Sequence, residues 1–271
     1  MNEGYIGPMG LVLARVLGAT ILFWLFGLFF KTEKIDGKDY IKFFYAAIFG
    51  VVINMLLFLK GLEFTTPIHA SVIVTTIPII ILILSSFFLK ERITKLKIIG
   101  VVLGLCGAVI LTLYGKSTRI GDNVPLGNFM IFINAISYSI YIILIKKLTL
   151  KYRPITLIKW LFLFGLILVT PIGFGEFQAI EWHSFTPYVS FSVAFVIVGA
   201  TFATYILNPI ALTELKATTV GTFIYIQPVI AGIFAMLMGS DSMGIVKAVA
   251  ALLIFTGVYL VSHNTQPKTV S

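Results

Sequence analysis

Cysteine is almost absent. Cys106 stands alone inside an apolar run, which excludes a disulfide framework and any cysteine-built metal site. Charge is scarce too, at 11% of 271 residues, and no carboxylate falls in the middle of a long apolar run. The three histidines, at 69, 183 and 263, are scattered and form no His-Glu-x-x-His pattern, which excludes a metalloprotease. Gly115, Lys116 and Ser117 resemble the end of a phosphate loop, but Ile110 stands where the earlier glycine is required, so ATP hydrolysis is not expected. The N-terminus lacks the basic stretch and cleavage site of a signal peptide, and the first apolar run is expected to be retained. Nothing in the pattern calls for a catalytic residue, a metal or a cofactor.

What is present is hydrocarbon. The chain is 59% hydrophobic with a mean hydropathy of +1.04, far too apolar to cover its own core with polar surface in water. Runs long enough to cross a bilayer as helices lie near 9–30, 41–60, 67–89, 97–115, 126–146, 155–175, 188–210, 217–238 and 244–262. They are about twice the length of a barrel strand and do not alternate, so the expected fold is all-α, a polytopic bundle of about nine transmembrane helices.

A net charge of +9 would suggest a nucleic-acid partner in a soluble chain, but here the basic residues sit in short loops between the spans. One set of alternate loops holds Lys31, Lys34 and Lys38, then Lys90, Arg92, Lys95 and Lys97, then Lys146, Lys147, Lys151 and Arg153, then Lys216. The other set has only Lys60, Lys116, Arg119 and Lys247. The positive-inside rule makes the richer face cytoplasmic, with the N-terminus outside and the C-terminus inside. The charge is an orientation signal, the expected partner is membrane lipid, and no nucleic acid is implied.

Two apolar runs carry a central proline, and their surroundings repeat. Leu62 and Leu212, Pro78 and Pro228, Glu91 and Asp241, and Gly107 and Gly257 are each 150 positions apart. The prolines belong to the third and eighth spans, which run in opposite directions, so the duplication is an inverted one. At about 1.5 Å per residue Pro78 lies roughly 16 Å from the outer start of its helix, and Pro228 about as far from the inner start of its own, so both reach the midplane. Each is expected to break its helix near the carbonyl four residues earlier, at Val74 and Ile224, and to act as a gating hinge.

Polar residues gather at the same depth. Asn134, Ser137, Tyr138 and Tyr141 share one face of the 126–146 helix, and Thr75, Thr76, Tyr225 and Gln227 lie near the two breaks. They form a candidate substrate cavity; the same stripe would equally serve interhelical hydrogen bonding, worth about 0.6 kcal/mol per bond. Arg15 lies about 10 Å inside the first span. It is expected to join an outer polar group with Asn54, Glu63 and His69, as an anionic-substrate contact or outer gate, or else to snorkel. Lys42 and Lys159 lie near span ends and snorkel, Glu91 and Asp241 anchor helix ends, and Gly100 with Gly104 permits close helix approach.

Over essentially the whole chain the sequence resembles the EamA-like permeases of the drug/metabolite transporter superfamily. The likeness rests on Ala70 and Ser71, the mid-helix Pro78, Leu89, Lys90, Glu91, Arg92, Ile93 and Thr94, then Gly100, Gly104 and Gly107, with Pro228 and Gly257 in the second copy. Asp241 and Ala250 depart from the pattern. The resemblance implies ten helices in two repeats of five, of which the first is expected to be missing here, either because the start lies too far downstream or because the chain is a truncated variant; that leaves a first repeat of four helices at 1–115, a second of five at 126–262 and a cytoplasmic tail at 263–271. It further implies a secondary transporter of a small metabolite, such as an amino acid or related compound, in the bacterial inner membrane. A membrane-embedded enzyme acting on lipid-linked substrates and a non-transporting scaffold are the alternatives from other classes. The former would need clustered acid, base or metal ligands at one membrane face, and no such cluster is found.

Overall fold

A computed structural model describes residues 6–31, 33–113, 122–237 and 244–263. Among these, nine helical stretches are long and apolar enough to cross a membrane, and no strand occurs. We label them α1 (Pro8–Gly27), α2 (Gly37–Phe64), α3 (Pro67–Leu89), α4 (Lys95–Leu113), α5 (Val124–Leu148), α6 (Pro154–Gln178) and α7 (Pro187–Glu214). Next comes α8, built of Ala217–Thr222, Phe223–Ile226 and Gln227–Leu237, and then α9 (Ile245–His263). A helix satisfies every interior amide within itself, and in hydrocarbon this is what allows a single segment to cross. Helices α2 and α7 extend beyond their apolar runs because charged residues near the interface do not stop a helix: Lys60 and Glu63 pair at 2.7 Å across one turn of α2.

Proline and threonine start many of these helices. Pro8, Pro67, Pro154 and Pro187 each begin one, where the missing amide hydrogen costs nothing. The hydroxyls of Thr66 and Thr186 accept from the His69 and Val189 amides as N-caps. Inside the membrane the two expected breaks occur. α3 is interrupted at Thr75 and Thr76 and resumes at Ile77, and α8 narrows to a 3-10 turn over Phe223–Ile226 before Gln227. Pro78 and Pro228 are each the second residue of the piece that follows, so the disturbance falls on the turn before the ring. Thr75 and Thr76 donate their hydroxyls to the Val72 and Ile73 carbonyls at 2.6 and 2.7 Å, which satisfies acceptors beside the gap.

Element boundaries recur at the offset seen in the sequence. Lys95–Leu113 and Ile245–His263 match at both ends, as do the inner pieces Asn54–Phe64 of α2 and Thr204–Glu214 of α7, each 150 residues apart. Each of α2 and α7 also contains a widened π segment, at Ile48–Ile53 and Val196–Ala203.

Packing divides the bundle. The main core is built by α1, α2, α5, α6 and part of α7, around Val12, Val16, Phe23, Val51, Tyr141, Ile142, Leu161 and Phe162. A second cluster joins α4, α8 and α9 through Ala108, Tyr225, Val229 and Ile254. Between α4 and α9 the backbones touch, because a β-carbon on Gly257 would lie 2.5 Å from the Gly100 carbonyl oxygen. Large apolar side chains such as Phe29, Phe87, Phe191 and Leu252 point outward, as a surface facing hydrocarbon requires.

Candidate functional site

The polar stripe of α5 faces α2 and α7. Asn134 donates to the Asn54 carbonyl at 2.7 Å, and Ser137 donates to the Phe49 carbonyl at 2.7 Å. Phe49 lies within the π segment of α2, where i to i+5 bonding widens the turn and leaves carbonyl groups for other donors. Gly50, in the same segment, lets the Tyr141 ring lie against the backbone, since a β-carbon there would be 2.3 Å from the ring. The Tyr141 hydroxyl is buried and finds no hydrogen-bond partner among the described residues.

Helix α7 supplies the opposite wall with Thr201, Tyr205 and Asn208, at spacings of four and three along one face. Tyr205 donates to the Gly50 carbonyl at 2.5 Å and reaches Asn54 Oδ1 at 3.4 Å. Its ring stands edge-on to Phe162, with centroids 4.9 Å apart, and lies 5.8 Å from Tyr141. Asn208 donates to the Tyr138 hydroxyl at 3.1 Å. Arg15, from α1, completes the group by donating its Nε to Thr201 Oγ1 at 3.1 Å, while Thr201 in turn donates to the Val196 carbonyl five residues back in the π segment. Arg15, Asn54, Tyr138 and Asn208 are only half-buried.

The structure distributes the expected residues unevenly. Asn134, Ser137, Tyr138 and Tyr141 come together, and Asn54 and Arg15 join them. The outer group around Arg15 does not assemble. Glu63 is taken by Lys60, His69 is exposed, and Arg15 turns instead to Thr201, which the π segment of α7 carries against α1. Thr75 and Thr76 serve the helix break. Tyr225 packs its ring on Gly104 in the second cluster, where its hydroxyl has no partner among the described residues, and Gln227 is exposed. Asp241 lies outside the described residues. Thr201, Tyr205, Asn208 and the Phe49 and Gly50 carbonyls were not foreseen. A polar four-three spacing inside the 188–210 run was the available signal for the first three.

A second polar assembly lies at the face with the basic loops. Glu91, just past α3, accepts from the Ala217 amide at 3.0 Å and from the Thr218 hydroxyl, both at the start of α8. Lys97 of α4 donates to the same carboxylate at 3.3 Å and to Thr218 at 3.2 Å, with its side chain 2% exposed. Lys146 of α5 donates to the Leu212 and Leu215 carbonyls at 2.6 and 3.0 Å, capping the end of α7. Below this knot Gly221 of α8 meets Ile81 of α3. At the other face the first half of α3 packs on α4 and α5 and the second half of α8 on α4. These two halves make no comparable packing with each other among the described residues.

On the loops of the same basic face, Lys151 bonds to Asp36 and to Asp39 at 2.5 Å, and Tyr152 donates to Asp39 at 2.7 Å. The hydrogen bonds to Asp36 and then Asp39 hold the Lys151 ammonium well above the ordinary lysine range. No group of three or more metal-ligating side chains exists among the described residues.

Comparison with known proteins agrees with this architecture. The model of the EamA-like transporter family matches residues 2–113 and 125–263. An uncharacterized transporter, YetK, of Bacillus subtilis is 26% identical over 93% of this chain and 78% of its own length. An uncharacterized transporter of Archaeoglobus fulgidus is 24% identical over 94% of this chain and 88% of its own. One solved structure, titled only as the crystal structure of a protein, shares the fold with a TM-score of 0.78 at 16% identity, covering 95% of this chain and 89% of that one. A two-part match spanning nearly all of the membrane helices shows that the chain belongs to the EamA-like transporter family, whose members are integral membrane transporters and not enzymes.

Proposed function

We propose that this chain is a secondary transporter that moves a small metabolite by alternating access between two inverted repeats. The first repeat is α1–α4 and the second α5–α9; element boundaries recurring at 150 residues support the pairing, and an offset of five spans, with four lying between partners, sets them antiparallel. The basic face is cytoplasmic. The observation that carries this reading is the asymmetry of the two broken helices. At the basic face α3 and α8 are joined by Ile81, Gly221 and the Glu91 knot, and at the other face their described halves have no comparable packing. That is the geometry of a carrier closed to the cytoplasm and open outward.

The breaks before Pro78 and Pro228 let each helix bend at mid-depth, so that closing one face frees the other. The polar group of α1, α2, α5 and α7 lines the path and holds the substrate. Amino acids and related compounds are the substrate class that the family likeness favours. The bacterial inner membrane is the expected location, with the C-terminus inside. Restoring both helices with Pro78→Ala and Pro228→Ala is expected to stop counterflow in proteoliposomes while leaving a folded, monodisperse protein. Normal counterflow by the double variant would sink the hinge mechanism.

A further inference from the structure

We infer that Arg15 is the carboxylate-binding residue of the transport site, and that the substrate carries a single carboxylate beside an apolar or aromatic body. This rests on the transport reading above and names what that site selects. Arg15 lies about 10 Å within the bilayer along α1, where an unpaired charge is costly. Four other cations within the spans are compensated. Lys42 pairs with Asp39, Lys97 with Glu91, Lys146 takes two carbonyls, and Lys159 lies over the Trp24 ring at 4.8 Å. Arg15 forms no ion pair among the described residues, and its one hydrogen bond is from Nε to a neutral hydroxyl.

That bond decides the geometry. With Nε held by Thr201, both terminal amines remain as a planar fork of four N–H donors, which matches a carboxylate in a bidentate pair. Thr201 is itself fixed by the Val196 carbonyl, so the fork is held in orientation before any ligand arrives. One guanidinium compensates one negative charge. A dianion such as a phosphate monoester would leave a net charge buried in low dielectric, which disfavours it. Tyr205, four residues along α7 from Thr201, forms an aromatic wall with Tyr141 and Tyr138, and Asn54 Oδ1 with the tyrosine hydroxyls supplies acceptors for an ammonium group if the ligand carries one.

The test uses matched pairs of acid and primary amide: phenylalanine and phenylalaninamide, leucine and leucinamide, phenylacetate and phenylacetamide. Thermal protection in detergent reports binding, and counterflow in proteoliposomes reports exchange. Wild type is expected to bind at least one acid roughly tenfold or more tighter than its amide, the size of one charged hydrogen-bonded contact. Arg15→Lys keeps the charge and loses the fork, and is expected to weaken that acid about tenfold without changing the amide. Arg15→Gln is expected to erase the preference; if it does not fold, Arg15→Lys carries the test. Exchange of amides as readily as acids by wild type, or unchanged acid binding by Arg15→Lys, would overturn the carboxylate subsite and leave transport standing. Exchange of no member of any pair would overturn both.

Discussion

Removing the Glu91 carboxylate should strand a buried ammonium. At the basic face Lys97 is 2% exposed and Glu91 is 9% exposed, and the carboxylate also holds the Ala217 amide and the Thr218 hydroxyl at the start of α8. Breaking one side of such a buried pair costs about 3–5 kcal/mol, chiefly because the remaining charge is uncompensated, whereas replacing both partners by apolar groups is near neutral. For a chain of this size about 1 kcal/mol moves Tm by roughly 2–4 °C. Glu91→Gln is therefore expected to lower Tm by about 6–20 °C, and the double variant Glu91→Leu with Lys97→Met to recover at least half of the loss. Tryptophan fluorescence during heating in detergent reads both, and a double-mutant cycle completed by the single variants Glu91→Leu and Lys97→Met isolates the coupling. The protein has a second way to relieve the stranded lysine, which is to part α3 from α8 and let water in. A cysteine placed at Thr222, buried in the closed face, should then react faster with a membrane-impermeant maleimide applied from the basic side in Glu91→Gln. A loss below about 1 kcal/mol in the single variant, or a double variant no better than the single, would refute the view that this knot holds the face shut.

Gly257→Ala should destabilise by about 1–3 kcal/mol, because its β-carbon meets the backbone of Gly100 and Gly104, which cannot rotate away. Gly175→Ala, with no atom within 4 Å, is the matched control, and equal melting curves for the two would contradict the packing. Gly50→Ala should displace the Tyr141 ring and depress transport more than Tm, as judged by counterflow against thermal unfolding. Tyr205→Phe removes the donor to the Gly50 carbonyl and should cost about 1–2 kcal/mol in Tm terms; no change would show that this carbonyl has another donor. The Lys151 ammonium is stabilised in the folded state, so its contribution is constant below the ordinary lysine pKa and is lost only as pH rises through its raised value. The Tm difference between wild type and Lys151→Met should therefore stay level from pH 6 to pH 9, and a slope in that window would reject the assignment.

Much of the bundle was legible because its causes are local. Twenty apolar residues need a helix in hydrocarbon whatever surrounds them, and a proline disturbs the turn before it wherever it stands, so the spans and the breaks before Pro78 and Pro228 appear in the one-dimensional pattern. The α5 stripe was readable for the same reason, since helical periodicity alone puts Asn134, Ser137, Tyr138 and Tyr141 on one face. Its partners were not. The π segments at Ile48–Ile53 and Val196–Ala203 have no sequence signature of their own, and they rotate the rest of each helix relative to an ideal one. Thr201, inside the π segment of α7, meets Arg15, and Tyr205, just past it, meets Gly50 in the π segment of α2. Depth along a helix, the measure available from residue counts, put Arg15 level with Asn54 but said nothing of the direction in which either side chain turned.

Composition and periodicity by themselves determined that this chain is a membrane bundle with two proline-broken helices, because solvent, length and backbone chemistry act on each segment separately. The tertiary structure alone decided which polar groups meet. Whether Arg15 finds an acid, a hydroxyl or a substrate, and whether Glu91 anchors a loop or ties α3 to α8, depends on how helices distant in sequence cross and rotate. In hydrocarbon those choices are enforced by the cost of leaving a polar group unpaired, a cost that exists only once the neighbours are in place.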